Sequence, residues 1–291
     1  MIKQKTSQKD DPRFDVDMKG YNTFNMILDG VPDDGETTEL FARPSKNNDP
    51  VQSYGVILFY RGEKDIRYFA CQRRTTIEFA EIIKCGYRKD RLYHYFSNMT
   101  ERERRLICEE SFEQLWNDLL LSEASLFNET KAKVLAKHKL YKAHLPDLMN
   151  CTVSSGDAEP PFEFPKGRAN ILQDKTFLAT ALRELREEAN INLGNSVKML
   201  DDISVVDIHK GTDGVKYQTT YFLIESPEMF EPEQTFFDHE NLIEDSCISK
   251  DMHEATWIEL PIGSPCVRGM TPLPDRLETL LFRVHVELCK H

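Results

Sequence analysis

Leu178, Ala181, Leu182, Leu185 and Ala189 recur at intervals of three and four, the spacing of one apolar helix face. They predict a helix from about Asp174 to Asn190, with Asp174 as its N-cap. Within it Glu184, Glu187 and Glu188 stand at i, i+3 and i+4, which sets three carboxylates on a stripe beside the apolar face. Elsewhere the period is that of strands. Tyr54–Tyr60 and Ile66–Arg74, rich in β-branched and aromatic residues around a polar turn at 61–65, predict a hairpin. Ile203–Ile208 and Lys216–Ile224 flank Gly211-Thr212-Asp213-Gly214 and predict a second one. Tyr217 and Tyr221, four apart, point to one face of the returning strand. Phe162–Phe164 reads as a short strand, His253–Leu260 as the last strand, and Asp275–Lys290 as a closing amphipathic helix carried by Leu277, Leu280, Leu281 and Val284.

Residues 88–150 change character to helix formers of mixed charge, and Thr100 with Glu103 fits a capping box that opens one of the helices. Residues 1–50 form an extension with one short apolar patch at Phe24–Leu28, and Ser154–Pro161 reads as a loop. Residues 225–251 hold nine acids and one Lys and read as a loop and short helix near solvent. The expected organisation is an N-terminal extension at 1–50, a domain whose first part is 51–87 and whose second part, with the closing helix, is 151–291, and a helical insertion at 88–150 between them. Strand, strand, insertion, strand, helix, strands, helix is the order of an α+β layered domain with its sheet between helices.

Charge and cysteine usage narrow the partners. At 291 residues and a net charge of −12, bulk electrostatics repel nucleic acid, so any RNA contact needs a local basic patch. The insertion offers one: it carries eleven Lys and Arg against ten acids, and Lys131, Lys133, Lys137, Lys139 and Lys142 fall within twelve residues that contain no acid. Such a surface either steers RNA phosphates or serves as a solubilising face. Seven cysteines, an odd number without a Cys-x-x-Cys pair, argue against a zinc site and a disulfide framework. With no long apolar run and a polar start, the chain reads as an intracellular, cytoplasmic protein without membrane contact or a legible obligate protein partner.

Three like charges on neighbouring turns destabilise an isolated helix, and a hard divalent cation bound through oxygen removes that penalty. Glu184, Glu187 and Glu188 therefore read as a metal site. Phe164-Pro165-Lys166-Gly167, a gap, then Arg183-Glu184-Leu185-Arg186-Glu187-Glu188 resembles the box of the Nudix hydrolase superfamily. Counted from Gly167, the Arg-Glu pair comes two residues later than in the family pattern, and the family's early glutamate has only Gln173, Asp174 or Lys175 in its place. Arg73-Arg74-Thr75-Thr76 with Phe79 and Glu81-Ile82-Ile83, and the tract Arg88–Asn98, are similar to the large-DNA-virus branch, the poxvirus and asfarvirus mRNA decapping enzymes.

The resemblance implies a Nudix α/β/α sandwich with a helical insertion, acting with Mg2+ or Mn2+ on capped mRNA and releasing methylated GDP and RNA with a 5′-monophosphate. It assigns Gly167, Glu184, Glu187 and Glu188 to the metal, Glu187 and Glu184 to catalysis, and Glu254 to a further metal ligand or general base, against the alternative of a strand-edge acid in water. Arg183 pins the carboxylates, and Lys166 stands beside Gly167. Arg73 and Arg74 contact phosphate or face solvent; Lys133 and Lys137 belong to the basic insert. For the methylated, positively charged guanine it implies stacking on Phe79 (or, one register away, Ile77) and Tyr217, positions that otherwise belong to a core. Hydrolysis of diphosphoinositol polyphosphates or free nucleotides, and an inactive RNA-binding Nudix module, are the other readings.

Overall fold

In a computed structural model, 26, 49–84, 87, 89–120, 128–153, 159–170, 172–193, 198–229, 252–262 and 273–290 are the residues whose structure is described. The apolar patch at 24–28 apart from Met26, most of 1–50 and most of 225–251 lie outside them, as do the side chains of Lys133 and Lys137. The chain divides into two compact units, one of 44–75 and 160–291, the other of 1–43 and 76–159. The helical unit thus opens at Thr76, ahead of the expected 88.

The larger unit is built on a seven-stranded mixed sheet. Strand β1 (Val51–Arg61) pairs antiparallel with β2 (Asp65–Arg73), which pairs with β3 (Phe162–Glu163). On the other side β1 runs parallel to β6 (Lys216–Glu225), and β6 pairs antiparallel with β5 (Lys198–Lys210). The short β4 (Lys166–Gly167) pairs with β1, and β7 (Met252–Pro261) with β2. Both expected hairpins form. The second closes through a turn in which Gly214 takes φ 79 and Asp213 accepts the Val215 N–H at 2.9 Å, a conformation that suits glycine.

Alternation along the strands divides the core into two layers. Val56 and Leu58 of β1, with Phe69, Cys71 and Ile224, pack against Ala181, Leu185 and Ala189 of helix α7 (Phe177–Ala189). Ile57 and Phe59, with Tyr68, Tyr221 and Leu223, pack against Leu277, Leu280, Leu281 and Val284 of helix α8 (Asp275–Leu288). The sheet therefore lies between two helices, the α+β layering the sequence predicts. Tyr68 crosses the α8 layer to His285, 2.9 Å from oxygen to Nδ1, so the buried hydroxyl has a partner.

The helical unit comprises α1 (Ile77–Ile83), α2 (Leu92–Asn98), α3 (Glu101–Glu109), α4 (Phe112–Leu120), α5 (Asn128–Lys142) and α6 (Leu145–Asn150). Its core gathers Phe79, Tyr95, Phe96, Trp116, Leu148 and their neighbours. One carboxylate sets two helix starts. Glu103, 4% exposed, closes the capping box with Thr100 at 2.9 Å and also accepts the Thr76 N–H at 2.6 Å and the Thr76 hydroxyl at 2.8 Å. Orphan amides at the starts of α1 and α3 are thus satisfied by one side chain. No helix among the described residues is long and apolar enough to cross a membrane.

Candidate active site

Helix α7 is held down by its apolar face, and its ends are fixed by the residues around it. Thr176, not Asp174, is the N-cap, its hydroxyl accepting the Ala179 N–H at 3.0 Å. Asn190 closes the helix in the left-handed conformation at φ 52, which asparagine tolerates. The helix packs over β4, and there the absence of a side chain at Gly167 matters. A Cβ on Gly167 would lie 2.0 Å from the carboxyl carbon of Glu184, so only glycine lets that carboxylate close on the strand.

Asp174 serves the site instead of the cap. It accepts two bonds from Arg183, Nε at 3.1 Å and a terminal nitrogen at 3.0 Å, along with the Asn170 N–H at 2.7 Å and the Thr180 hydroxyl at 3.0 Å. The Arg183 hydrogen bonds hold its carboxyl at about 2. Arg183 reaches onward to Glu184 at 2.8 Å and Glu187 at 2.7 Å, and donates to the Arg168 carbonyl at 2.9 Å. One guanidinium thereby joins Arg168 and Asp174 to Glu184 and Glu187, the fork geometry to which arginine is suited. Burial raises the Glu184 carboxyl, with Arg183 opposing the rise.

The expectation of three carboxylates projecting together is corrected at Glu188. It lies three residues after Leu185 on the buried face and is 8% exposed. It accepts the Lys166 N–H at 2.8 Å. Burial pushes its carboxyl up, against the pull of Lys166, and Glu163 adds to the rise. Glu163 itself is buried, and burial opposes its ionisation, but Lys166 at 2.7 Å and Arg73 at 3.4 Å prevail and hold it low. The sequence reading missed Glu163 and the anchoring role of Asp174. No local periodicity marks either, because each acts across a loop or a strand pair.

The other candidates are distributed more widely. Arg73 joins the cluster through Glu163, and Arg74 follows it at the strand end, half-buried. Glu254 pairs with Gln72 and alternates with Ile258 and Leu260 of the α8 layer, which puts it on the sheet face opposite α7. Tyr217 shares the α8 face with Tyr221; its ring stacks on His209 at 5.5 Å and its hydroxyl donates to Asp213 at 2.8 Å. Phe79 is buried in the core of the helical unit at 4% exposure, whereas Ile77 is exposed. The lysine run is also partly committed to structure. Lys131 pairs with Glu113, and Lys142 donates to the carbonyls of Cys108 and Glu110, each at 2.9 Å, closing the end of α3.

Among the described residues no three acidic, His or Cys side chains converge on one point as a ready cage for a metal ion. Arg183 stands between Glu184 and Glu187, and the Lys166 amide holds Glu188. In kind, the donors still fit a hard divalent cation: all are oxygens, and Gly167 leaves the cradle against which the Glu184 carboxylate lies. Among the described residues Asp174, Glu163, Glu184, Glu187 and Glu188 are paired with Arg73, Lys166 and Arg183.

No protein-family model and no curated protein sequence matches the chain. Among solved structures it is similar to a C. elegans Ap4A hydrolase in a binary complex, at 11% identity over 83% of this chain and 99% of that one, with a TM-score of 0.39. It is similar also to the NUDIX domain of Shewanella oneidensis NrtR complexed with ADP ribose, at 10% identity over 87% and 94%, TM-score 0.37. A third is a Nudix hydrolase from M. smegmatis, RenU, at 9% identity over 82% and 87%, TM-score 0.36. The functional reading is carried by the site's own residues.

Proposed function

We propose that the chain is a Nudix-type pyrophosphohydrolase that cleaves the 5′ cap of mRNA with a divalent cation, releasing methylated GDP and RNA with a 5′-monophosphate. The observation that carries this reading is the Arg183 joint. A single guanidinium fixes Glu184 and Glu187 at 2.8 and 2.7 Å and is itself fixed by Asp174, over a glycine that admits the Glu184 carboxylate. A merely solvated acidic face has no use for such bracing, because surface ion pairs contribute little. The choice of capped RNA is supported by the similarity of the segment from Arg73 to Ile83 to decapping enzymes.

Glu184, Glu187, Glu188 and the Gly167 backbone are the groups that would hold magnesium or manganese. Bound there, the ion would neutralise charge on the phosphoryl oxygens and lower the pKa of an attacking water. The chain's own residues supply the remainder. Glu187, with the most exposed side chain of the three, is placed to accept the water's proton. Lys166 and Arg73, both bound to Glu163, set two cations near Glu188 to meet an anionic substrate. Arg183 keeps Glu184 and Glu187 in register through the reaction.

The test is the identity of the product. RNA labelled in the cap phosphates and incubated with the chain and Mn2+ yields labelled methylated GDP on this reading. Release of methylated GMP, or turnover confined to diphosphoinositol polyphosphates, would overturn it.

A further inference from the structure

The α7 face that carries Glu184 continues toward the helix start as Phe177. Phe177 precedes Glu184 by seven residues, two helical turns, so it lies on the same side about 10 Å away along the axis. Its ring is stacked nearly flat on Tyr54, with centroids 4.2 Å apart and planes at 7°. Tyr54 is buried, but Phe177 is 59% exposed: one face is covered by Tyr54 and the other is left to water. Tyr54 is also the strand partner of Gly167. The stack and the glycine–carboxylate contact are therefore built on the same pair of strands.

We propose that the open face of Phe177, backed by Tyr54, is where the planar base of the substrate stacks, with its diphosphate extending along α7 toward Glu184. This rests on the pyrophosphohydrolase reading and deepens it: the substrate is a nucleotide, not a base-free polyphosphate. A π-face of this kind accepts any base, because every base has a π-face of its own. A methylated guanine gains further from its positive charge over the ring. The two-turn separation is on the scale of a nucleoside diphosphate between its base and its distal phosphate. Tyr54 holds the Phe177 ring in one orientation before the ligand arrives, so little side-chain freedom is lost on binding.

The test uses two probes with the same uncleavable phosphonate bridge, the methylene analogue of methylated GDP and base-free methylenediphosphonate. Their binding to the full chain with Mn2+ is measured by titration calorimetry. In Phe177→Ala, affinity for the base-bearing probe falls about tenfold, while affinity for methylenediphosphonate is unchanged. Phe177→Trp keeps the wild-type preference, and circular dichroism shows the variants folded. Equal affinity of wild type and Phe177→Ala for the base-bearing probe, an equal fall for both probes, or the loss appearing in Tyr217→Ala instead would overturn the assignment. Failure of the hydrolase reading itself looks different. The wild-type chain would then leave capped RNA intact, whereas failure of the platform alone leaves turnover in place with no dependence on Phe177.

Discussion

Replacing Gly167 by Ala tests the α7–β4 contact with one methyl group. The added Cβ would stand 2.0 Å from the Glu184 carboxyl carbon and 2.1 and 2.3 Å from its oxygens. Ordinary carbon contact is about 3.5 Å, so the carboxylate retreats by about 1.5 Å. The obstructing atoms end a flexible side chain, and Gly167 does not use the left-handed backbone region. The fold therefore accommodates the change at about 1 kcal/mol or less, a Tm shift of roughly 2–4 °C for a domain of this size. Misplacing a reacting group by about 1 Å removes about a hundredfold in rate, so kcat/KM should fall by about two orders of magnitude or more. The assay pairs Mn2+-dependent release of methylated GDP with calorimetric unfolding. A Gly167→Ala chain that cleaves as fast as wild type at an unchanged Tm would refute the placement of Glu184 in the reaction.

Two predictions concern the helical unit. Glu103→Ala removes three hydrogen bonds from the starts of α1 and α3 and should destabilise that unit by about 3 kcal/mol, read as a lower urea midpoint; a loss below about 0.5 kcal/mol would dismiss the shared cap. His138 is buried among Ile82, Phe96 and Leu145, with no hydrogen-bond partner for Nε2 among the described residues, and burial lowers it to about 4 from 6.5. Below pH 6.5 the unfolded chain takes up a proton that the folded one refuses, so stability is lost as pH falls from about 6.5 toward 4 and is flat above. At pH 5 the loss is about 2 kcal/mol. Protection factors of the α5 amides, corrected for the intrinsic exchange rate at each pH, should fall accordingly in wild type and not in His138→Phe; identical pH profiles for the two chains would contradict the assignment to His138.

Much of the architecture could be read in the sequence, because local periodicity and burial agree along most elements. Ala181, Leu185 and Ala189 mark the face of α7 that meets the sheet, Thr100 and Glu103 mark the start of α3, and both hairpins carry their turn residues. The site was legible in its residue types but not in its arrangement. The spacing of Glu188 from Glu184 and Glu187 predicts one stripe, yet its spacing from Leu185 equally puts it on the buried face, and packing decides between the two. The partner of Arg183 is Asp174, nine residues away across a loop, and the partner of Lys166 is Glu163 across a turn; no helical or strand period encodes either. Strand alternation puts Tyr217 and Tyr221 on one face, but which helix covers that face is a tertiary matter, and it is α8. Phe177 carries no mark in the sequence, because an aromatic at a helix start is usually core and its exposure appears only in three dimensions.

On the proposed function the acids of α7 grip a divalent cation at Gly167. Electron paramagnetic resonance of Mn2+ titrated into the folded chain tests it without recourse to substrate. Bound Mn2+ is expected in wild type, displaced by Mg2+, with a loss of about tenfold or more in affinity for Glu187→Gln and Glu188→Gln. Manganese bound equally well by wild type and by a chain with all three glutamates replaced by glutamine would contradict it.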